Sequence, residues 1–325
     1  MIRTALTDLL HIDYPIFQGG MAWVATWELV TAVSEGGGLG ILGAGSAPVS
    51  WVAEQLAQIR AHTQKPFGVN VPMFNPMADD LIALCIQERV PVLTTGAGSP
   101  AAYVEAVKAA GVTFIPVVAS AQLARRLERA GVDAVIAEGE ESGGHIGTVS
   151  TMALLPQVVD SVHIPVVAAG GIGDGRGLAA ALALGASGVQ MGTRFVCTTE
   201  CTVHENYKQA ILKASERSTM VTGASMGHPV RCLRNPMARD YEELERHGAS
   251  EQELVEFGTG RLRNAVVLGD VTHGSVMAGE ISGLIKDIIP AAEVLRRTTA
   301  EAEQVMARLG AMVREHEVES EVRGG

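Results

Sequence analysis

Short apolar runs rich in Val, Ile, Leu and Ala recur along the chain and alternate with longer segments of mixed polarity. They are Tyr14–Gly20, Leu39–Gly45, Phe67–Pro72, Val90–Ala97, Thr113–Ala119, Ala134–Glu140, Pro165–Gly171 and Gly188–Phe195. Near-continuous apolar strands are buried on both faces, as in a parallel sheet covered by helices. Helical patterning fills gaps over Trp27–Ser34, Val49–Thr63, Ala101–Ala110, Ala121–Ala130 and Gly177–Leu184, and glycine follows most of these, as at Gly111, Gly131 and Gly185. A glycine there caps a helix before the next strand begins. The repeated strand–helix units predict an α/β fold, a TIM (β/α)8-type barrel, with a doubly wound open sheet as the alternative.

The pattern changes after Phe195. Residues 197–265 hold charged, helical-looking stretches and no clear strand, which predicts a helical insertion or lid. The barrel then comprises residues 1–196 and 266–325, ending in two helices and a charged tail from Arg314 that is expected to fray. A length of 325 residues suits one barrel with an insertion.

Charge narrows the partners. With 25 basic and 36 acidic residues the net charge is −11, which disfavours nucleic acid or an anionic membrane surface. The four cysteines form no Cys-x-x-Cys motif, and the first residues lack the apolar core of a signal peptide. No apolar stretch is long enough to span a bilayer. The expectation is a cytoplasmic protein with reduced thiols.

In such a barrel the active site forms at the C-terminal ends of the strands. Those ends carry Gln18-Gly19-Gly20-Met21, Asn70, Thr94-Thr95-Gly96, Glu138 with Gly143-Gly144-His145, Gly170-Gly171, and Gln190-Met191-Gly192-Thr193. The loops after the seventh and eighth strands are the usual phosphate site of the fold, and glycines let main-chain amides approach a phosphate. Gly170, Gly171, Gly192 and Thr193 are therefore candidate phosphate ligands, although either loop alone would read as a tight turn. His145 lies between glycines just past a buried strand, where an imidazole can project into a cleft and exchange a proton near neutral pH. His228 and His273 read better as loop or capping residues. Cys197, Cys201 and His204 lack a fourth ligand, so buried thiols are preferred to a metal site. Arg231, Arg234 and Arg239 could meet an anionic substrate, but surface pairing with Asp240, Glu242 and Glu243 is the simpler expectation. Trp23 and Trp27 could wall a cleft or pack in the core. Gly36-Gly37-Gly38-Leu39-Gly40 precedes a strand, so it is not a dinucleotide fingerprint.

Taken in order, these motifs resemble the FMN-dependent enoyl-acyl-carrier-protein reductases of the FabK type, within the nitronate monooxygenase (2-nitropropane dioxygenase) superfamily. The resembling pieces include residues 13–23, 36–40, 66–70, 94–98, Ala137-Glu138-Gly139 with 143–147, 168–172, 190–195 and 274–279, nearly the whole chain. The resemblance implies tightly bound FMN, with Gly19, Gly20 and Met21 lining the isoalloxazine and Asn70, Thr95, Gly96, Glu138, Gly144 and Gln190 nearby. It implies that Gly170, Gly171, Gly192 and Thr193 hold the FMN phosphate, that Ser275, Met277 and Gly279 close over the flavin, and that His145 is the catalytic histidine. NADH or NADPH would be the co-substrate and a 2-enoyl thioester on acyl carrier protein or coenzyme A the acceptor. A homodimer and a monovalent-cation dependence are further family expectations. Two features depart from the reductase pattern: Glu280, where Gln is expected, and Cys201-Thr202-Val203-His204-Glu205, where His-Pro-Asn-Tyr is usual.

Three other readings compete. A nitronate monooxygenase would use His145 as a base or orienting group on a nitro compound. An IMP-dehydrogenase-like barrel would need a nucleophilic Cys where this chain carries His145. A barrel that merely binds FMN as a sensor would show flavin colour without turnover.

Overall fold

The computed structural model describes residues 2–322. Twelve strands are present: β1 (Ile16–Gln18), β2 (Leu39–Gly43), β3 (Phe67–Pro72), β4 (Val92–Gly96), β5 (Thr113–Phe114), β6 (Val117–Val118), β7 (Val135–Glu138), β8 (Gly144–His145), β9 (Val166–Ala169), β10 (Gly188–Met191), β11 (Thr219–Thr222) and β12 (Val230–Leu233). Nine of them form one parallel sheet in the order β5-β4-β3-β2-β1-β10-β9-β7-β6. The two ends of that order are halves of a single run. Pro116 has no N–H to give to a ladder and splits the fifth apolar run into β5 and β6. The Ile115 amide donates to the Leu93 carbonyl at 2.9 Å, and the Ile136 amide donates to the Pro116 carbonyl at 2.9 Å, so the broken run joins β4 to β7. The fold is the expected TIM-type barrel.

Side chains alternate across each strand and sort into two cores. Phe17, Leu39, Ile41, Val92, Ile115, Ile136 and Val167 fill the barrel, and Leu6 and Leu10 of the helix Ala5–Leu10 join them. Val69, Val71, Leu93, Val135 and Val189 point outward and pack beneath the helices. The helices Trp27–Glu35, Val49–His62 and Ala121–Ala130 lie where the apolar pattern places them. Two further helices, Ala78–Gln87 and Thr151–Val159, escape that pattern, the second because Pro156 interrupts it.

Residues 197–265 correct the expectation of a strandless insertion. They contain four helices and the antiparallel pair β11–β12, and β12 also pairs with β8 of the barrel loop. The hairpin is short and β12 takes its second partner, β8, from about 85 residues earlier, so local pattern does not show the sheet. The C-terminus is also different from expectation. Instead of two helices there is a short 3-10 segment, Glu280–Leu284, and one long helix, Ala291–Val322, packed on Gly175–Ala183. That helix enters the stretch expected to fray, whose last three residues lie outside the described ones. No helix among the described residues is long and apolar enough to cross a membrane.

Candidate active site

Parallel register sets the C-terminal strand ends side by side. Glu138 pairs with Ala169, Ala169 with Gln190, and Gln190 with Phe17, while Asn70 lies between Gly43 and Thr94. Above this rim opens a cavity of about 620 Å³. Gly19, Gly20, Met21, Asn70, Gly96, Glu138, Gly144, His145, Gly170, Gly171, Gln190, Gly192, Thr193, Met277 and Gly279 all line it.

Two expected members do not. Thr95 is one residue out of phase. Its neighbour Thr94 faces the barrel and accepts from the Asn70 amide at 2.9 Å, whereas Thr95 turns toward the helices with its hydroxyl buried and unpartnered. Ser275 is also off the cavity wall, its amide donating to the Arg261 carbonyl at 3.0 Å. Gln18 is wholly buried and bonds to the main chain of Gly19 and Ile41, a structural task.

The floor of the cavity is main chain. A Cβ on Gly20 would lie 2.4 Å from the Asn70 Cβ, so only glycine lets the loop after β1 cross the mouth of β3. Gly170 and Gly171 take φ of 90° and 72°, a left-handed conformation that glycine adopts without strain. Their amides meet no acceptor among the described residues. On the opposite side the Gly279 amide donates to the Thr193 hydroxyl at 2.9 Å, fixing residues 274–279 over the cavity. The Tyr207 hydroxyl, buried in the insertion, donates to the Met277 carbonyl at 2.7 Å and fixes the same segment.

Glu138 and His145 both face this space. Glu138 accepts from the Ser142 hydroxyl at 2.7 Å, yet burial outweighs that bond and pushes its carboxyl up to about 7. His145 stands on β8, opposite Val230 of β12, with its ring centroid 4.9 Å from that of the half-exposed Phe74. Desolvation first, and the neighbouring His228 second, hold its imidazole below the usual value, so it is neutral at pH 7. Glu141, also on the wall, is tied down by the amide and hydroxyl of Thr151 at the start of a helix.

Position alone does not reveal how His145 is held. Arg231 is buried. Its Nε donates to the Glu140 carbonyl at 3.0 Å, and its guanidinium pairs with Glu280 at 2.9 Å. The expected surface pairing of Arg231 with Asp240, Glu242 or Glu243 is therefore corrected. The guanidinium instead links the insertion, the loop leading to His145 and the segment over the cavity. Trp23 lines the cavity, whereas Trp27 stacks on His62 with centroids 4.5 Å apart. His204 caps the helix Glu205–Leu212, and His273 sits beside Asp270 at 3.4 Å. All four cysteines are buried and free, and no metal-binding group of three His, Cys, Asp or Glu occurs among the described residues. Sequence reasoning missed Phe74 and Arg263 on the wall, because each comes from a segment with no motif around it, and it gave Tyr207 no place in the site.

A family model described as nitronate monooxygenase matches residues 3–84 and 77–301. FabK from Thermotoga maritima superposes with a TM-score of 0.94 and 51% identity, covering 96% of this chain and all of that one. A nitroalkane oxidase from Streptomyces ansochromogenes superposes with a TM-score of 0.81 at 32% identity, over 93% of this chain and all of that one. A Mycobacterium tuberculosis protein named (3aS,4S,5R,7aS)-5-hydroxy-7a-methyl-1-oxo-octahydro-1H-indene-4-carboxyl-CoA dehydrogenase is 42% identical over 75% of this chain and 70% of its own length.

Proposed function

The chain belongs to the nitronate monooxygenase family and is an FMN-dependent oxidoreductase, and from that premise we propose that it reduces the double bond of a 2-enoyl thioester with NADH or NADPH. The observation that carries the reading is the likeness to FabK over the whole of that chain, at 51% identity. The relative with a carboxyl-CoA substrate in its name adds weight to a thioester carried on coenzyme A or acyl carrier protein.

The residues lining the cavity fit the cofactor. Two unpartnered glycine amides at Gly170 and Gly171, with Gly192 and Thr193 beside them in the cavity, suit a phosphate, and the Cβ-free wall at Gly19 and Gly20 suits a flat ring system. When bound, FMN supplies a two-electron relay between the nicotinamide and the enoyl group. The chain supplies orientation and charge. Neutral His145 would donate a hydrogen bond to the thioester carbonyl oxygen as negative charge gathers there. Phe74 would shield that contact from water. Glu138, titrating at about 7, would hold or release a proton beside the ring at neutral pH. In balance, a hydride reaches the β-carbon, a proton reaches the α-carbon, and NAD(P)H leaves oxidised. The protein would work as a cytoplasmic homodimer, which light scattering of the purified protein tests.

One observation favours a second reading. The Streptomyces nitroalkane oxidase is 32% identical across nearly the full chain, and a neutral His145 could equally act as base on a nitro compound. Steady-state assays separate the two. NAD(P)H-dependent reduction of crotonyl thioester supports the reductase. Oxygen uptake with an alkyl nitronate and no nicotinamide supports the rival and defeats the reductase reading if crotonyl thioester is inert.

A further inference from the structure

Both substrates of the proposed reaction carry phosphate esters some way from their reacting atoms, in the nicotinamide nucleotide and in the pantetheine arm of the thioester. Resting on that reading, we propose that Arg263, set over the Trp23 ring at the cavity wall, is a subsite for such a phosphate ester. Among the described residues Arg263 is the only arginine or lysine that lines the cavity. It is exposed, and no carboxylate pairs with it among the described residues, although the chain carries 36 acidic groups. Its neighbour Arg261 is engaged otherwise, donating to the carbonyls of Phe257 and His273.

The Arg263 guanidinium lies 5.7 Å from the Trp23 ring centroid. A guanidinium held over a ring at this cation–π distance keeps N–H groups available for contact with an oxyanion. The platform is itself constrained. Trp23 has a φ of 64°, a left-handed conformation that a bulky residue rarely takes, and Trp51 backs its ring with centroids 5.7 Å apart. Such outliers gather where a side chain must be held for binding. The helix Arg261–Leu268 has no side-chain cap, and the Thr259-Gly260 segment that precedes it also lines the cavity. An anion at Arg263 would therefore meet no opposing capping carboxylate.

The test compares FMN-loaded wild type with Arg263→Gln and Arg263→Lys. Calorimetry measures binding of free coenzyme A, of 4′-phosphopantetheine, of pantetheine without phosphate, and of NAD+, which carries the nucleotide phosphates without reducing the flavin. Arg263→Gln is expected to weaken one or more of the phosphate-bearing probes about tenfold, with a much smaller effect on pantetheine and partial recovery in Arg263→Lys. Weakening confined to NAD+ assigns the subsite to the nucleotide; weakening confined to coenzyme A and phosphopantetheine assigns it to the thioester arm. Unchanged binding of every phosphate-bearing probe in Arg263→Gln overturns the proposal. If wild type reduces no enoyl thioester yet Arg263→Gln still loses phosphate binding, the subsite stands and the reductase reading falls.

Discussion

At the scale of single residues, environment decides chemistry. Glu138 is a carboxyl kept protonated by burial, so its folded pKa lies above its unfolded one. Its contribution to stability is complete below about 4.5 and is lost as pH rises through about 7. In flavin-free protein, Glu138→Gln should therefore gain stability relative to wild type between pH 5 and pH 8. The gain is on the order of 2 kcal/mol, allowing for residual solvent contact, and is read from urea midpoints at the two pH values. His145 has the opposite sense. His145→Ala should cut enoyl reduction by about 10²-fold or more while the bound-flavin spectrum persists; full activity would remove the histidine from the mechanism. Residue types were legible in the sequence where chain position fixed exposure, as for His145 and Gly170-Gly171. Thr95 was not, because a shift of one residue along a strand exchanges the barrel interior for its outer layer, and Thr94 takes the inward place.

At the scale of elements, eight apolar runs map onto eight barrel positions, and the exception is instructive. Pro116 breaks one run in two without breaking the closed sheet, since the neighbouring amide and carbonyl still reach β4 and β7. The sheet of β11, β12 and β8 was hidden because it draws on residues 145 and 230, which no local pattern connects. Arg231 pins this sheet to the Glu140 carbonyl and to Glu280. Arg231→Met should lower stability by about 1–2 kcal/mol, since it removes the charge-assisted bonds of a buried guanidinium, one of them to the half-exposed Glu280. It should also lower enoyl reduction, because His145 sits one residue along from the Gly144–Arg231 pair. Denaturant unfolding together with turnover at a stable temperature checks both. Lower stability with unchanged turnover would confine Arg231 to a structural role.

At the scale of the whole molecule, the barrel gathers segments from residue 19 to residue 281 around one cavity. A ligand held there should stabilise the entire fold. FMN at about a hundred times its dissociation constant should add about 2.7 kcal/mol, seen as a raised thermal midpoint of flavin-free protein. Gly171→Val should abolish that rise, because a branched side chain is strained at a φ of 72° and crowds the unpartnered amides. The chain by itself determined the eight barrel positions, the closed α/β architecture and the glycine-rich strand ends, because burial on both faces and helix-capping glycines leave a periodic trace in one dimension. Tertiary structure alone decided which threonine faces inward, that a sheet from the insertion carries His145, and that Arg263 and Phe74 complete the wall. Those are meetings between residues up to a hundred or more positions apart, and no spacing along a chain encodes a contact that only closure of the barrel creates.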